Sequence, residues 1–547
     1  MVNARTARLA RELWGSVTDS PGQTATALGA LAAIGCLNPM GALAAAACGA
    51  ALLAGHFRSR RLDALGRTPD QAKSVREEFH VTLGTEAGTG RPVTLTGTDV
   101  RQHMLVLGGE RTANTDFYVA MAEQAVAAGS GAMLVSGMGD VALFAKTYMM
   151  ARKHGRLDDL LVLNLMTGNA GVAGGGGRLL SNTINPLATG NADDLTQLIA
   201  DMIDPVGGDG AMMKGRATAM LSGALGALTW LRDREGLELD LSVLRDHLAL
   251  EALVGLSTGA SAPGLPDKIK LLLKNYLSSI PGFNPDRGPS QAQTTREQHV
   301  YVECIIGGVI SGLADVYGHI LKTSYGEIDM RDVVLNRRIL VVMLPQLEMS
   351  GDEIANLGKI VAAMLKGMMG NALGDKIKGD WRSIVENRVT NSPSPFLCVL
   401  DGVGYYAVPG LALMAAQARS MGFWMIYGSQ DIPALKRINE REGESIISNT
   451  ATKVFMRRDG TEDIPYSMAY GKACPPGVSE RVSEPRGASL FNDDAGALVM
   501  YKASRVNMVP TRFSVGQLPA GSKFRARIRA NWFTPLPTKP ASAGDVR

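Results

Sequence analysis

The sequence predicts an α/β protein built on a mostly parallel sheet, with an all-α segment inserted between two of its strands. Three observations predict this. After Arg101, short continuous apolar runs alternate with helix-length segments, the pattern of strands buried on both faces. One run, Met104–Leu107, leads through a Gly-containing loop into a helix-like stretch, the strand–loop–helix frame of a phosphate-binding loop. Between about Asp193 and Tyr325 the alternation stops and only helical spacing remains, as in "AMMKGRATAMLSGALGALTWLRD".

The N-terminus carries two uncharged, Ala-rich apolar runs, Thr24 to Leu37 and Met40 to Phe57, split by Asn38-Pro39. An X-Pro step favours a turn. Arg5, Arg8 and Arg11 precede the pair and Arg58, Arg60, Arg61 and Arg67 follow it. Basic residues at both flanks favour a transmembrane helical hairpin with both ends in the cytoplasm. The first run is shorter than the ~20 residues a span needs, so a cleaved signal peptide and a soluble hairpin stay open.

The strand candidates that follow are Met104–Leu107, Ala132–Val135, Leu161–Leu165, Ile339–Leu344, Phe396–Leu400, Phe423–Tyr427 and Lys453–Met456. Helix candidates between them include Thr115–Ala127, Asp352–Ala372 and Leu411–Ser420. The Gly174–Gly177 run follows a strand but opens no helix and lacks Lys, so it reads as a flexible loop. The expected organisation is a membrane anchor (1–67), the first part of a nucleotide-binding-type domain (68–192), an all-α insertion (193–330), the second part of that domain (331–504) and a basic tail (505–547).

A chain of 547 residues accommodates two or three domains. Its net charge of +4 excludes a general nucleic-acid binder across the whole body. The charge concentrates at the end, where Arg505, Arg512, Lys523, Arg525, Arg527, Arg529 and Lys539 run with no acid before Asp545. Such a tail suits phosphate, anionic lipid or an acidic partner, or is simply solvated. The five cysteines form no C-x-x-C pair and the seven histidines no H-x-x-x-H pair. Neither a disulfide framework nor a metal site is assigned, which places the body in a reducing compartment.

The chemistry is concentrated in "HMLVLGGERTANTDFYVAMAEQAV". A P-loop asks for G-x-x-x-x-G-K-[ST]. Gly108 and Thr115 fit, whereas Ala113 stands for the second Gly and Asn114 for the Lys. The Lys contact to phosphate is worth about 1.5–3 kcal/mol. Glu110 adds a carboxylate that, at about 5 Å and an effective dielectric near 20, each phosphate charge repels by about 3 kcal/mol. A P-loop ATPase also needs an apolar strand ending in Asp, followed by a Glu that activates water. "PFLCVLDGVGYY" supplies Asp401 but places Gly402 next.

Taken together these segments resemble the type IV secretion coupling ATPases of the TraG/TraD class, and especially the DotL/IcmO branch that includes TrbC of I-type conjugative plasmids. The resemblance runs from about Ala30 to Arg458 and rests on motifs such as "GSGAMLVSGMGDVALFAK", "LSNTINPLATG", "MMKGRATAML" and "YYAVPGLALMAAQARSMGFWMIYGSQDIPAL". It implies a RecA-like fold and a ring, typically hexameric, at the bacterial inner membrane with the body in the cytoplasm. It also implies partners: the inner-membrane components of a type IV secretion system, and relaxase-bound DNA or effector proteins as substrate. Carried over position by position, Gly108, Ala113, Asn114 and Thr115 fall on the P-loop. Asp401 and Gly402 fall on the Asp-Glu pair, and Gln430 on the nucleotide-sensing Gln. Arg419 is the candidate for an arginine reaching a neighbouring subunit, with an ordinary surface arginine as its bland alternative. "SGMGD" stands where the family has Asp-x-Lys-Gly-Asp, so Ser136 and Met138 lose two charges while Asp140 remains. The long C-terminal extension by which DotL-type proteins dock adaptors is not matched.

The losses at Ala113, Asn114, Ser136, Met138 and Gly402 gather on one reaction, which points to a pseudo-ATPase that recruits substrate or scaffolds an active paralogue in a homo- or hetero-oligomer. No cofactor is expected, and ATP with magnesium enters only if residual binding survives. Two alternatives stay open. One is an active motor with relocated groups, Arg111 for the Lys and Glu444 or Asp431 for the base. The other is a membrane-tethered substrate receptor with neither ring nor nucleotide.

Overall fold

The computed structural model describes residues 79–512 apart from 88, 109–110, 138, 168–180, 204–209, 345–350, 374–389, 391, 407–409, 438, 457–496 and 502–503. The expected membrane hairpin, the Gly174–Gly177 loop, Met138 and the tail beyond 512 therefore lie outside the described residues.

Eleven strands form one sheet in the order β2-β1-β11-β10-β9-β3-β8-β7-β4-β6-β5. Seven of them are parallel neighbours: β9 (Thr452–Met456), β3 (Met104–Leu107), β8 (Phe423–Ser429), β7 (Phe396–Asp401), β4 (Ala132–Ser136), β6 (Ile339–Met343) and β5 (Leu160–Asn164). These are the seven apolar runs of the sequence, each within two residues at either end. Their residues are almost wholly buried, because helices cover both faces. Beyond β9 lies an antiparallel wing that periodicity did not indicate: β10 (Ala497–Tyr501), β11 (Ser504–Pro510), β1 (His80–Glu86) and β2 (Pro92–Thr96). β11 takes in Arg505, paired with Met500, so the first residue of the expected basic tail is in the sheet.

Helix α1 (Gly97–Val100) enters β3, α2 (Arg111–Ala127) leaves it, and α3 (Val141–Lys153) joins β4 to β5. The chain between β5 and β6 is helical among its described residues. It comprises α4 (Ala192–Met202), α5 (Gly210–Glu235), α6 (Leu241–Asp246), α7 (Leu250–Thr258), α8 (Asp267–Ser278), α9 (Gln293–Ser311), α10 (Gly318–Leu321) and α11 (Met330–Leu335). Asn191 and Asp240 cap α4 and α6 with their side chains. α9, with its π-helical continuation to Val316, is long and apolar enough in composition to cross a membrane. Its buried His299, however, is fixed inside this layer by Tyr276 Oη of α8 at 2.8 Å and the Leu248 carbonyl at 2.9 Å. After β6 come α12 (Gly351–Leu373), α13 (Leu411–Gln417), α14 (Ile432–Leu435) and α15 (Glu440–Asn449). α13 stops three residues short of the expected Ser420. It tightens into a 3-10 turn, Ala418–Met421, closed by Gly422 in the left-handed conformation.

Candidate nucleotide site

In a parallel sheet all carboxyl ends lie on one edge, and loops from that edge form the ligand crevice. Here β3, β8, β7 and β4 end there in Gly108, Ser429-Gln430, Asp401 and Ser136. One strand, β8, separates β3 from β7. The edge is stitched by the backbone: Gly108 N donates to Ser429 O at 3.1 Å, Gly137 N to Asp401 O at 2.9 Å and Leu344 N to Ser136 O at 3.0 Å.

The loop after β3 differs from the expected frame. The helix was expected to begin at Thr115, but α2 begins at Arg111, four residues earlier. A P-loop keeps those residues out of the helix with glycine. With alanine, the best helix former, at position 113, the helix extends toward its N-terminus.

Asn114 is buried and donates from Nδ2 to the Gly108 carbonyl at 2.8 Å, so it staples the short loop to its own strand. Its Oδ1 is buried with no hydrogen-bond partner among the described residues. Thr115, also buried, donates from Oγ1 to Asp140 Oδ2 at 3.1 Å. Asp140 uses Oδ1 to cap α3, accepting from Ala142 N at 2.8 Å, while its own N–H donates to Ser136 Oγ at 3.1 Å.

Three tyrosines surround the end of β7, none of them singled out by the sequence reading. Tyr406 Oη donates to the Asp401 backbone oxygen at 3.1 Å, and Tyr427 Oη to the Leu411 carbonyl at 3.3 Å. Tyr118, one turn after Thr115 on α2, is fully buried; its hydroxyl lies near the Asp401 carboxylate beside Gly428 but makes no hydrogen bond among the described residues. Burial first, and then that carboxylate, push the Tyr118 hydroxyl well above the ordinary phenol range. Gly402, where the resemblance puts the catalytic Glu, has φ +65° and opens the 3-10 turn Val403–Tyr405. That left-handed backbone suits glycine and opposes a glutamate.

The sequence-derived positions Gly108, Asn114, Thr115, Asp140, Asp401 and Gln430 thus share the carboxyl edge. Ala113 lies in the first turn of α2. Arg419 does not join them: it is exposed on the turn before β8, at the amino edge. Of the relocated groups, Glu444 is exposed and paired with Lys436 at 2.7 Å, and Asp431 caps α14 by accepting from Ala434 N at 2.6 Å. Among the described residues no three His, Cys, Asp or Glu side chains gather as metal donors.

At the amino edge, His103 holds φ +64° ahead of β3 and accepts from Met425 N at 3.2 Å. Its pKa is lowered to about 4, chiefly by burial; a backbone contact to Ala415 opposes this and the charge of Arg419 adds to it. The unfolded chain therefore takes up this proton near pH 6.5 and the folded chain only near 4. The folded state holds its full stability above pH 6.5 and loses about 3 kcal/mol as pH falls to 4. His103→Asn keeps an acceptor and tolerates the positive φ, and it will flatten this loss. Unfolding midpoints between pH 7 and 4 check it, and an unchanged slope contradicts it.

Topology and edge together are those of a P-loop-type α/β domain. No protein-family model matches the sequence. Over 393 residues, 70% of this chain, it is 39% identical to the type 4 coupling protein DotL of Legionella pneumophila. The chain spans about half (50%) of that relative's length. Over the matched stretch the chain belongs to the type IV coupling protein family. Solved structures of the conjugative coupling protein TrwB, one with sulphate and one with ADP and Mg2+, are similar at TM-score 0.42 with 13% and 14% identity. They cover 69% and 72% of this chain and 74% and 78% of theirs. VirB4 of Thermoanaerobacter pseudethanolicus follows at TM-score 0.38 and 12% identity, covering 79% of this chain and 96% of its own.

Proposed function

We propose that this chain is an inner-membrane component of a type IV secretion or conjugation system, a coupling-protein homologue whose own nucleotide site is silent. It recruits or hands over a substrate, relaxase-bound DNA or an effector protein, or scaffolds an active paralogue in a shared ring. The division into anchor, two-part α/β domain, helical insertion and basic tail belongs to this proposal. The likeness to DotL supports the coupling role.

One observation carries the silence of the site: the polar groups that a magnesium nucleotide would recruit are already bonded within the chain. Asn114 is tied to Gly108 O and the Thr115 hydroxyl to Asp140. The cradle itself is helix from Arg111. Replacing these internal bonds with phosphate contacts requires α2 to unwind at its start, with no Lys to reward the change.

The purified full chain in detergent is expected to hydrolyse Mg-ATP no faster than buffer, and Asp401→Asn will not change that rate. Steady turnover that disappears in Asp401→Asn contradicts the proposal.

A further inference from the structure

Two half-buried arginines meet at the amino edge of the sheet with no described carboxylate to neutralise them. Arg101 lies between α1 and β3, and Arg337 between α11 and β6. Both reach the turn that precedes β7. Arg101 donates from Nη2 to the Ser392 carbonyl and, at 3.3 Å, to the Pro393 carbonyl. Arg337 donates at 3.5 Å to the carbonyls of Ser394 and Thr390. Among the described residues neither guanidinium has a carboxylate within 4.0 Å. Burial first, and then the charge of Arg101, lower the Arg337 pKa, so the two guanidiniums repel each other across this turn. Two polar atoms of this cluster, Arg101 Nε and Thr390 Oγ1, are buried without a hydrogen-bond partner among the described residues, and Thr390 is 3% exposed.

Arg337 is kept against the preference of its own backbone, since its φ is +56°. It occupies the C′ position of a Schellman motif that ends α11: Arg338 N donates to Val333 O at 2.9 Å and Arg337 N to Val334 O at 3.4 Å. Glycine is the usual residue there, because a Cβ disfavours the left-handed conformation. A side chain retained under such strain points to a use for the guanidinium itself.

The edge around the pair is basic. Arg152, in the last turn of α3, and Arg419 are exposed there and form no ion pair among the described residues. Of the acids on this edge, Glu123, Asp159 and Asp332 are already paired, with Lys153, Arg156 and Arg338, and Asp99 is buried in the cap of α1. Exposed Asp158 does not offset the four arginines. From β3 to β5 the edge spans five strand spacings, roughly 24 Å. One free phosphate covers a fraction of that width, whereas a lipid surface meets all of it. The chain also enters the described body here. Phe79, the first described residue, and Pro393 meet over Gly97, where a Cβ would stand 3.3 Å from the Phe79 carbonyl oxygen and 3.6 Å from that of Pro393. The sequence before Phe79 carries the two apolar runs expected to cross the membrane.

We propose that Arg101 and Arg337 clasp the phosphate of an anionic phospholipid, so that the amino edge of the sheet rests on the membrane surface. Arginine suits this ligand because its planar fork meets phosphate oxygens in pairs. The membrane orientation rests on the anchor of the proposed function, and the experiment separates the two.

In non-ionic detergent, the full chain is titrated with dioctanoyl-phosphatidylglycerol, and the rise of the unfolding midpoint gives the apparent affinity. Dioctanoyl-phosphatidylcholine, which has no net charge, and inorganic phosphate are the comparison arms. Only phosphatidylglycerol is expected to raise the midpoint, and Arg337→Gly is expected to weaken its binding by about fivefold. Glycine suits the backbone at position 337, so this variant loses the guanidinium and keeps the fold. The full chain is also placed in nanodiscs of phosphatidylcholine alone or mixed in equal parts with phosphatidylglycerol, and hydrogen exchange is followed. Peptides spanning Arg101 and Ser392 are expected to exchange more slowly in the mixed discs, and not in Arg337→Gly. A phosphatidylglycerol response that survives Arg337→Gly, an equal response to phosphatidylcholine, no response, or unchanged exchange at these peptides would each overturn the proposal. An equal response to inorganic phosphate overturns it too, by assigning the arginines to a free anion. A chain that does not enter nanodiscs contradicts the anchor, and the detergent titration then decides the clasp alone.

Discussion

Gly428→Ala will lower the stability of the α/β domain by about 2–3 kcal/mol, because the added methyl has nowhere to go. Gly428 lies in the buried strand β8, and a Cβ there stands 2.2 Å from Tyr118 Oη and 2.9 Å from Asp401 Oδ1. Tyr118 cannot swing away, since it is fully buried and packed edge-on to Phe117 at 6.4 Å. The clash has one removable partner. Tyr118→Phe deletes the hydroxyl and will recover a large part of the loss when combined with Gly428→Ala, although it has little effect alone. Thermal unfolding of the two single variants and the double variant measures that coupling. Additive losses would mean that Tyr118 and Gly428 do not meet as described.

The second large effect is expected at Trp424, four residues earlier on β8. Its indole is fully buried and meets the Phe79 ring edge-on at 6.4 Å. Trp424→Ala will cost about 3–5 kcal/mol, from lost transfer energy plus the cavity left in a sheet that cannot collapse. Its Nε1 has no hydrogen-bond partner among the described residues, so Trp424→Phe gives up volume and no hydrogen bond there. That variant will cost roughly 1–2 kcal/mol. Equal losses for Ala and Phe in denaturant unfolding would show that the nitrogen, and not the packing, holds this position.

The parallel half of the sheet was legible because strands buried on both faces must be apolar throughout. The runs at Met133, Val341 and Val399 contain no alternating polar residue to obscure them. The antiparallel wing was not. "HVTLGTE" and "PVTLT" are short, rich in Thr, and interrupted by Gly84 or opened by Pro92, which is how an edge strand reads. The positions of the candidate site were legible through the P-loop frame, but its local conformation was not. That frame presumes a loop through residue 114, while Ala113 lets α2 run back to Arg111. Tyr118 was hidden for a different reason. In "DFYVAMAEQAV" it reads as one more core residue of an apolar helix, and only the fold brings β7 against that face. Its spacing from Thr115 was the available signal, because residues three apart share a helix face.

Whether the carboxyl edge takes a nucleotide at all decides between a silent site and a working one. A fluorescent ATP analogue titrated with magnesium into the full-length chain reads this without requiring turnover. The prediction is a non-saturating response up to about 1 mM, the upper end of ordinary enzyme substrate constants. It should be the same for wild type and Asp401→Asn. Saturable, magnesium-dependent binding that unlabelled ATP displaces, and that weakens in Asp401→Asn, would contradict it.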